Sequence, residues 1–121
     1  MIQAIDHVQL AAPPDCEPAA RRFFGEIVGL EEIAKPAALQ AHGGVWFRCG
    51  GQQLHVGVER GFAPARKAHP AFRVHRLESL RARLEAAGAD TQDDDVPIAG
   101  VHRFYADDPW GNRLEFVEAA A

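Results

Sequence analysis

Residues 108–116 are Asp-Pro-Trp-Gly-Asn-Arg-Leu-Glu-Phe, a turn-rich segment that runs directly into an alternating strand. Asp, Pro, Gly and Asn all favour turns, each for its own backbone reason. Leu114 and Phe116 alternate with Glu115, so the two apolar side chains lie on one face of the strand and the carboxylate on the other. Together with an alternating run over residues 101–106, the segment predicts a hairpin with one apolar face.

The first half of the chain begins with an alternating strand at residues 5–10. A helix with Asp15 as a plausible N-cap and Gly29 at its end follows, because Phe23, Phe24, Ile27 and Val28 form an apolar stripe. Two alternating runs then flank Gly50-Gly51, which is a hairpin signal.

The second half repeats this order of elements. A strand at residues 70–74 precedes a helix in which Leu77, Leu80 and Leu84 have helical spacing, and the hairpin over residues 101–117 ends the half. We therefore expect two similar modules in one domain spanning residues 1–121. The predicted bounds are about 1–59 for module 1, 60–68 for a connector and about 69–118 for module 2.

Four potential metal ligands occupy equivalent places in the two halves. His55 follows His7 by 48 positions, and Glu115 follows His69 by 46. Strand alternation places all four opposite the apolar faces, on the side that also carries Gln9, Gln53, Arg73 and Arg113. If a pseudo-twofold axis relates the halves, the four donors converge on it, and the polar face lines a solvent-filled cavity.

Composition excludes several classes of function. The 121 residues suit one domain, and a net charge of −4 is unfavourable for binding nucleic acid. No apolar run approaches the roughly 20 residues that span a bilayer, and the N-terminus has no signal-peptide pattern. Two cysteines are too few for a disulfide framework. We therefore expect a cytoplasmic protein with free thiols and no membrane or nucleic-acid partner.

The sequence resembles the vicinal oxygen chelate superfamily, which includes glyoxalase I, the fosfomycin-resistance enzymes, extradiol dioxygenases and bleomycin-binding proteins. Four segments carry the resemblance: residues 5–8, 54–56, 69–72 and 108–116. It implies an α+β fold in which two βαβββ modules form a half-open, barrel-like cavity. It also implies a homodimer whose sites are shared between chains.

The resemblance implies a metal site made by His7, His55, His69 and Glu115. Imidazole and carboxylate ligands suit a divalent ion such as Zn, Ni, Mn, Co or Fe. His55 occupies a place where glyoxalase I has a glutamate or glutamine, so it is either a fourth ligand or a base that does not touch the metal. Glu115 and His55 are therefore the candidate catalytic residues for proton transfer.

Two functions follow from the resemblance. One is a divalent-metal-dependent enzyme acting on a small oxygenated substrate, with lyase or isomerase chemistry, or dioxygenase chemistry if the ion is iron. The alternative is a metal-free protein that binds a small molecule or antibiotic, as bleomycin-resistance proteins do. Residues 93–100 lack the lysine and serine of the fosfomycin enzymes' potassium loop, which argues against that substrate. The candidate substrate-binding residues are Trp46, Arg73, Arg103 and Tyr105.

Overall fold

The computed structural model describes residues 1–120. These residues form two compact units, of which the first is Met1–Ala63 and the second begins at Pro64. In unit 1 a strand and a helix precede three further strands. The helix begins as an α-helical turn and continues as a π-helical segment, and a short 3₁₀ helix lies between the second and third strands. The elements of unit 1 are β1 (His7–Ala12), α1 (Glu17–Ala20) with its π-helical continuation (Arg21–Ile27), β2 (Glu31–Ile33), the 3₁₀ helix (Ala37–His42), β3 (Val45–Cys49) and β4 (Gln52–Val58).

Unit 2 has the same order of strands and helix. Its elements are β5 (Ala71–Arg73), α2 (Leu77–Ala86), β6 (Thr91–Asp93), β7 (Val101–Asp107) and β8 (Arg113–Ala119). The predicted α+β class with two βαβββ modules is confirmed. The division between the units falls at Ala63, inside the predicted connector.

Each unit contains one four-stranded mixed sheet. The strand order is β1-β4-β3-β2 in unit 1 and β5-β8-β7-β6 in unit 2. The first and last strands of each unit are parallel, and all other neighbours are antiparallel. A parallel pair needs a crossover connection, which the helix and the two intervening strands supply. The first and last strands of each unit are therefore neighbours, although they are distant in sequence.

One face of each sheet carries the core. In unit 1, Phe47 and Leu54 are buried, and Phe24 of the helix lies 6.0 Å from Phe47 between ring centroids. In unit 2, Phe104 and Phe116 are buried and stack with 5.1 Å between centroids. The opposite face of each sheet carries the polar residues, as the alternation predicts.

The start of the first helix differs from the prediction. Cys16, not Asp15, is the N-cap residue, and no side chain caps the helix. Asp15 instead has a left-handed backbone with φ of 66°. The helix then widens, because the N–H of Val28 donates to the carbonyl of Phe23, five residues earlier, at 2.8 Å.

Within residues 1–120, the structure contains no helix that is both long enough and apolar enough to cross a membrane.

Candidate metal and substrate site

Strand register places the predicted site residues in two groups. In unit 1, His55 on β4 pairs with Gln9 on β1 and with Trp46 on β3. In unit 2, Glu115 on β8 pairs with Ala71 on β5 and with Tyr105 on β7. Directly paired residues of adjacent strands share a face of the sheet. Each candidate therefore lies near the middle of the polar face of its own sheet.

The unit 2 group is centred on His69 and Glu115. Nε2 of His69 lies 2.9 Å from Oε1 of Glu115, and Nδ1 lies 2.7 Å from the carbonyl oxygen of Lys67. The His69 side chain is 24% exposed and the Glu115 side chain 12%. Both oxygens are acceptors, and a neutral imidazole carries a proton on only one nitrogen. When Nδ1 donates to Lys67, the lone pair of Nε2 faces a carboxylate oxygen, an arrangement that a cation between the two atoms would stabilise.

The donor chemistry of this pair fits a divalent ion. Imidazole nitrogen and carboxylate oxygen each bind zinc at about 2.0–2.2 Å, so two ligands of one tetrahedral ion stand roughly 3.3–3.6 Å apart. The observed 2.9 Å between the two donor atoms is a hydrogen-bond distance, so the pair would open by about half an ångström to hold an ion. His69 lies two residues before β5 and Glu115 lies in the middle of β8, and these two strands are hydrogen-bonded neighbours, so the sheet brings the two residues together.

Arg103 holds the second oxygen of Glu115. One of its terminal nitrogens donates to Oε2 of Glu115 at 3.3 Å, while Nε and the other terminal nitrogen donate to the two carboxylate oxygens of Asp94 at 2.7 and 2.9 Å. It also donates to the carbonyl of Val96. Hydrogen bonding to Asp94 raises the pKa of Arg103, and the same contact lowers the pKa of Asp94. The guanidinium of Arg103 thus donates its hydrogen bonds to protein acceptors.

Tyr105 lies at the centre of the polar face of unit 2. The guanidinium carbon of Arg113 is 4.1 Å from the centroid of its ring, and that of Arg103 is 5.7 Å away. The His69 ring approaches edge-on at 5.9 Å between centroids. Tyr105 therefore supports two arginines and one candidate ligand, and its ring is the common neighbour of all three.

The unit 1 group is a stack of three rings. His55 lies between Trp46, at 3.7 Å between centroids with the planes 2° apart, and His7, at 4.2 Å and 19°. Nε2 of His55 is 2.8 Å from the amide oxygen of Gln53, and Nδ1 of His7 is 2.9 Å from Asp6. His55 is only 3% exposed. Burial lowers the pKa of His55, as does the neighbouring His7, while Asp6 opposes the shift.

The stack limits how these histidines can bind a metal. An ion bound by imidazole lies near the ring plane, about 2 Å from the nitrogen. Two rings stacked at 4.2 Å with nearly parallel planes have no shared in-plane point so close to both. In this arrangement His7 and His55 do not fit as two ligands of the same ion. Across residues 1–120, the structure brings no three His, Cys, Asp or Glu side chains together as a metal-binding group.

The turn before β8 is built by Asp108. Its Oδ1 accepts the backbone N–H of Trp110 at 3.0 Å and that of Asn112 at 2.8 Å, and its Oδ2 accepts the Asn112 side-chain amide at 2.7 Å. Burial raises the pKa of Asp108, although these three donors act in the opposite direction. The turn sets where β8 begins, and with it the position of Glu115.

Comparison with known proteins identifies the family. A profile of the glyoxalase-like domain matches residues 11–117, nearly the whole chain. The chain belongs to the vicinal oxygen chelate superfamily. No protein with a curated function matches the sequence.

Solved structures share this glyoxalase-like fold. A glyoxalase family protein from Bacillus anthracis is 50% identical, with a TM-score of 0.93 over 98% of this chain and 97% of that one. Lactoylglutathione lyase from Agrobacterium tumefaciens is 25% identical, with a TM-score of 0.73 over 98% and 95% of the two chains. The fosfomycin resistance protein of Listeria monocytogenes is 18% identical, with a TM-score of 0.77 over 99% and 96%. The last likeness shows the fold alone.

Some residues of the glyoxalase-like site were not singled out from sequence. Strand alternation places Gln53 on the polar face but assigns it no role, and it does not predict the stacking of Trp46 on His55. A signal for the stack exists: a two-residue turn at Gly50-Gly51 pairs Cys49 with Gln52 and hence Trp46 with His55. The contact of Asp94 with Arg103 has no such local signal, because Asp94 lies in the loop between β6 and β7.

Proposed function

We propose that this glyoxalase-like chain is a divalent-metal-dependent enzyme that acts on a small oxygenated substrate by Lewis-acid chelation. The observation that carries the proposal is the His69–Glu115 pair, whose donor atoms face each other at 2.9 Å with the other nitrogen of His69 already hydrogen-bonded. The proposed ligands are His69, Glu115 and His7, with His55 as a base and not a fourth ligand, and the proposed ion is Zn, Ni, Mn, Co or Fe. The reaction is of the lyase or isomerase type, or an oxygenation if the ion is iron.

The metal would polarise a substrate oxygen and stabilise the negative charge that develops on it. The protein's own groups position the substrate and move its proton. Arg103 holds Oε2 of Glu115 so that Oε1 stays directed at His69. Trp46, Tyr105 and Arg73 are the proposed substrate contacts, with Trp46 offering an aromatic surface and Arg73 a positive charge. Arg103, the fourth predicted contact, acts through Glu115 and Asp94 instead.

His55 is the proposed base. With the amide oxygen of Gln53 as acceptor at 2.8 Å, its Nε2 carries the proton and its Nδ1 the lone pair. Its lowered pKa keeps the ring neutral at pH 7, and only a neutral imidazole can accept a proton. The stack with Trp46 and His7 fixes the plane of the ring, so the base form is held in one orientation. This role agrees with the stacked geometry, which disfavours His55 as a ligand alongside His7.

The test is metal content. Protein purified without chelator, or loaded with Ni²⁺, Zn²⁺, Mn²⁺, Co²⁺ or Fe²⁺, should bind about one ion per site, and His69→Ala and Glu115→Gln should each abolish binding. His42→Ala serves as the control, because His42 is exposed and has no assigned role. If no ion binds, or if Glu115→Gln binds as wild type does, the proposal is wrong.

The same measurements examine the metal-free alternative. The stacked rings of unit 1, of which His55 is buried and His7 is exposed, are the observation that favours a protein that holds a flat small molecule without an ion. In that case ligand affinity would be the same with and without metal and unchanged in Glu115→Gln. We expect the enzyme to require the metal, to act as a homodimer with sites shared between chains, and to work in the cytoplasm, where Cys16 and Cys49 stay reduced.

A further inference from the structure

Arg113 is the arginine on the polar face of unit 2 that is both half-buried and without an ion pair among the described residues. It opens β8, two residues before Glu115, so the two side chains lie on the same face of the sheet. Its guanidinium lies 4.1 Å from the centroid of the Tyr105 ring, the shortest of the arginine–ring distances in the described residues. The side chain is half-buried, so it is held in place but not sealed from solvent.

Arg113 forms no ion pair in the residues that the structure describes. Arg103, on the same face, is neutralised by Asp94 and Glu115. No carboxylate within residues 1–120 comes within 4 Å of the Arg113 guanidinium, although Asp107 lies across from it in the register of β7 and β8. Arg73 on β5 is likewise without an ion pair in the described part of the chain, but it is exposed. The face thus carries two arginines without an ion pair among the described residues, in a chain whose net charge is −4.

The guanidinium carbon of Arg113 lies over the Tyr105 ring. A cation–π contact of this kind does not require the guanidinium N–H groups as donors, so they can bind a ligand. A planar fork of N–H donors matches the two oxygens of a carboxylate or phosphate group. Because Tyr105 restrains the arginine before any ligand arrives, little side-chain freedom is lost on binding.

The position of Arg113 relative to the candidate metal-ligating residues His69 and Glu115 indicates what kind of molecule would bind. The Arg113 guanidinium and the His69 ring both lie within 6 Å of the Tyr105 ring centroid. A small molecule that reaches His69 and Glu115 with one end can therefore meet Arg113 with the other.

We propose that Arg113, braced by Tyr105, is an oxyanion-binding subsite, and that the substrate is a small anion bearing a carboxylate or phosphate group beside its chelating oxygens. This inference deepens the proposed function and rests on it, because the oxyanion is taken to be part of the substrate. It assigns recognition of the negative charge to Arg113 and leaves Arg103 as a positioning residue for Glu115.

The test is isothermal titration of the full chain with three probes at constant ionic strength. Glycolate carries a carboxylate beside a hydroxyl, inorganic phosphate carries the other oxyanion, and ethylene glycol is the uncharged counterpart of glycolate. Each probe is measured with metal-free protein, dialysed free of chelator, and with metal-loaded protein. The variants are Arg113→Gln, Arg113→Lys and, as control, Arg22→Gln, which removes an exposed positive charge from unit 1.

We expect Arg113→Gln to raise the Kd of glycolate or phosphate by about tenfold or more, because a charge-assisted fork is lost. Arg113→Lys keeps the charge without the fork and should fall between this variant and wild type. Arg22→Gln should bind as wild type, and ethylene glycol should bind far more weakly than glycolate. Whichever anion binds more tightly identifies the source of the oxyanion.

Two outcomes overturn the inference: unchanged anion affinity in Arg113→Gln, or no measurable anion binding by wild type in either metal state. The metal-free arm separates this inference from the metal proposal. Arg113-dependent anion binding in a protein that takes up no metal would sink the metal proposal alone. Glycolate binding that depends on metal but not on Arg113 would sink the oxyanion subsite alone.

Discussion

Gly44 illustrates how one residue determines the path of the chain into β3. Its φ is +87°, and a Cβ at this position would overlap the carbonyl oxygen of Val56 on the neighbouring strand. Its N–H donates to the carboxylate of Glu17 at 2.7 Å, which ties the helix to the strand that carries Trp46. Only glycine satisfies both the left-handed backbone and the close approach.

Gly44→Ala should therefore destabilise the protein. The left-handed backbone alone costs about 1–2 kcal/mol for a residue with a side chain, and the overlap with Val56 adds to this. Urea unfolding, followed by circular dichroism, measures the loss. Gly51→Ala is the matched control, because a Cβ at Gly51 would meet no atom within 4 Å. Equal stability of the two variants would contradict the explanation.

Asp108 makes a second prediction at the scale of one residue. Asp108→Ala removes the acceptor of three hydrogen bonds, two of which come from the buried Asn112. The expected cost is about 1–3 kcal/mol in the free energy of unfolding. Asp95→Ala, an exposed aspartate in the preceding loop, should change stability little. The same urea titration measures both variants. If Asp108→Ala unfolded with the same free energy as wild type, the turn would not depend on this carboxylate.

Residue-level features of the site were predictable where they depend on local backbone. Alternation with a period of two places Gln53 beside His55, and Arg113 beside Glu115, on the polar faces. The contacts that these side chains make depend on neighbouring strands and loops. Asp94 meets Arg103 only because the loop after β6 returns over the sheet. Alternation along β7 contains no information about that loop.

The second helix begins through a contact with a distant strand. Arg76 at its N-cap has φ of 64°, and no side chain of the N-cap residue satisfies the first N–H groups. The carboxylate of Glu118 on β8 accepts the N–H of Arg76 at 2.7 Å and that of Leu77 at 3.1 Å. These two bonds lower the pKa of Glu118. A tertiary contact thus replaces the local cap that sequence analysis looks for.

This contact predicts a pH dependence of stability. A depressed pKa in the folded state means that the ionised Glu118 stabilises the fold at pH values above its unfolded pKa, and that this contribution is lost as pH falls through the folded pKa. Glu118→Gln should lower the thermal midpoint at pH 7, and its difference from wild type should shrink towards pH 3. Glu59→Gln, at an exposed glutamate, is the control. If the difference in thermal midpoint between Glu118→Gln and wild type did not change with pH, the charge of Glu118 would not be its cause.

Elements were predictable in proportion to their length. The helices and the long strands have several periods of alternation or of helical spacing, and they were found. The strands β2 and β6 have three residues each, too few for an alternating pattern to predict them. Register with β3 and β7 fixes them instead, so they depend on long-range pairing.

At the scale of the molecule, the repeat was the informative signal. The order of strand, helix and hairpin recurs in both halves, and the family resemblance supplied the βαβββ module that the order alone left open. The separation of donors into His7 with His55 in unit 1 and His69 with Glu115 in unit 2 follows from that repeat. The expectation that all four surround one ion concerns both units together and stays a prediction.

Mixing two defective variants tests whether the site is shared between chains. His7→Ala damages unit 1 and Glu115→Gln damages unit 2, so each variant alone should bind no zinc. In a homodimer with shared sites, refolding an equal mixture creates heterodimers in which one site has both substitutions and the other has neither, and about a quarter of all sites should bind zinc again. A mixture of His42→Ala with Glu115→Gln should instead bind the average of the two variants before and after refolding. Recovery of no zinc in the first mixture would mean that the ligands of a site come from a single chain.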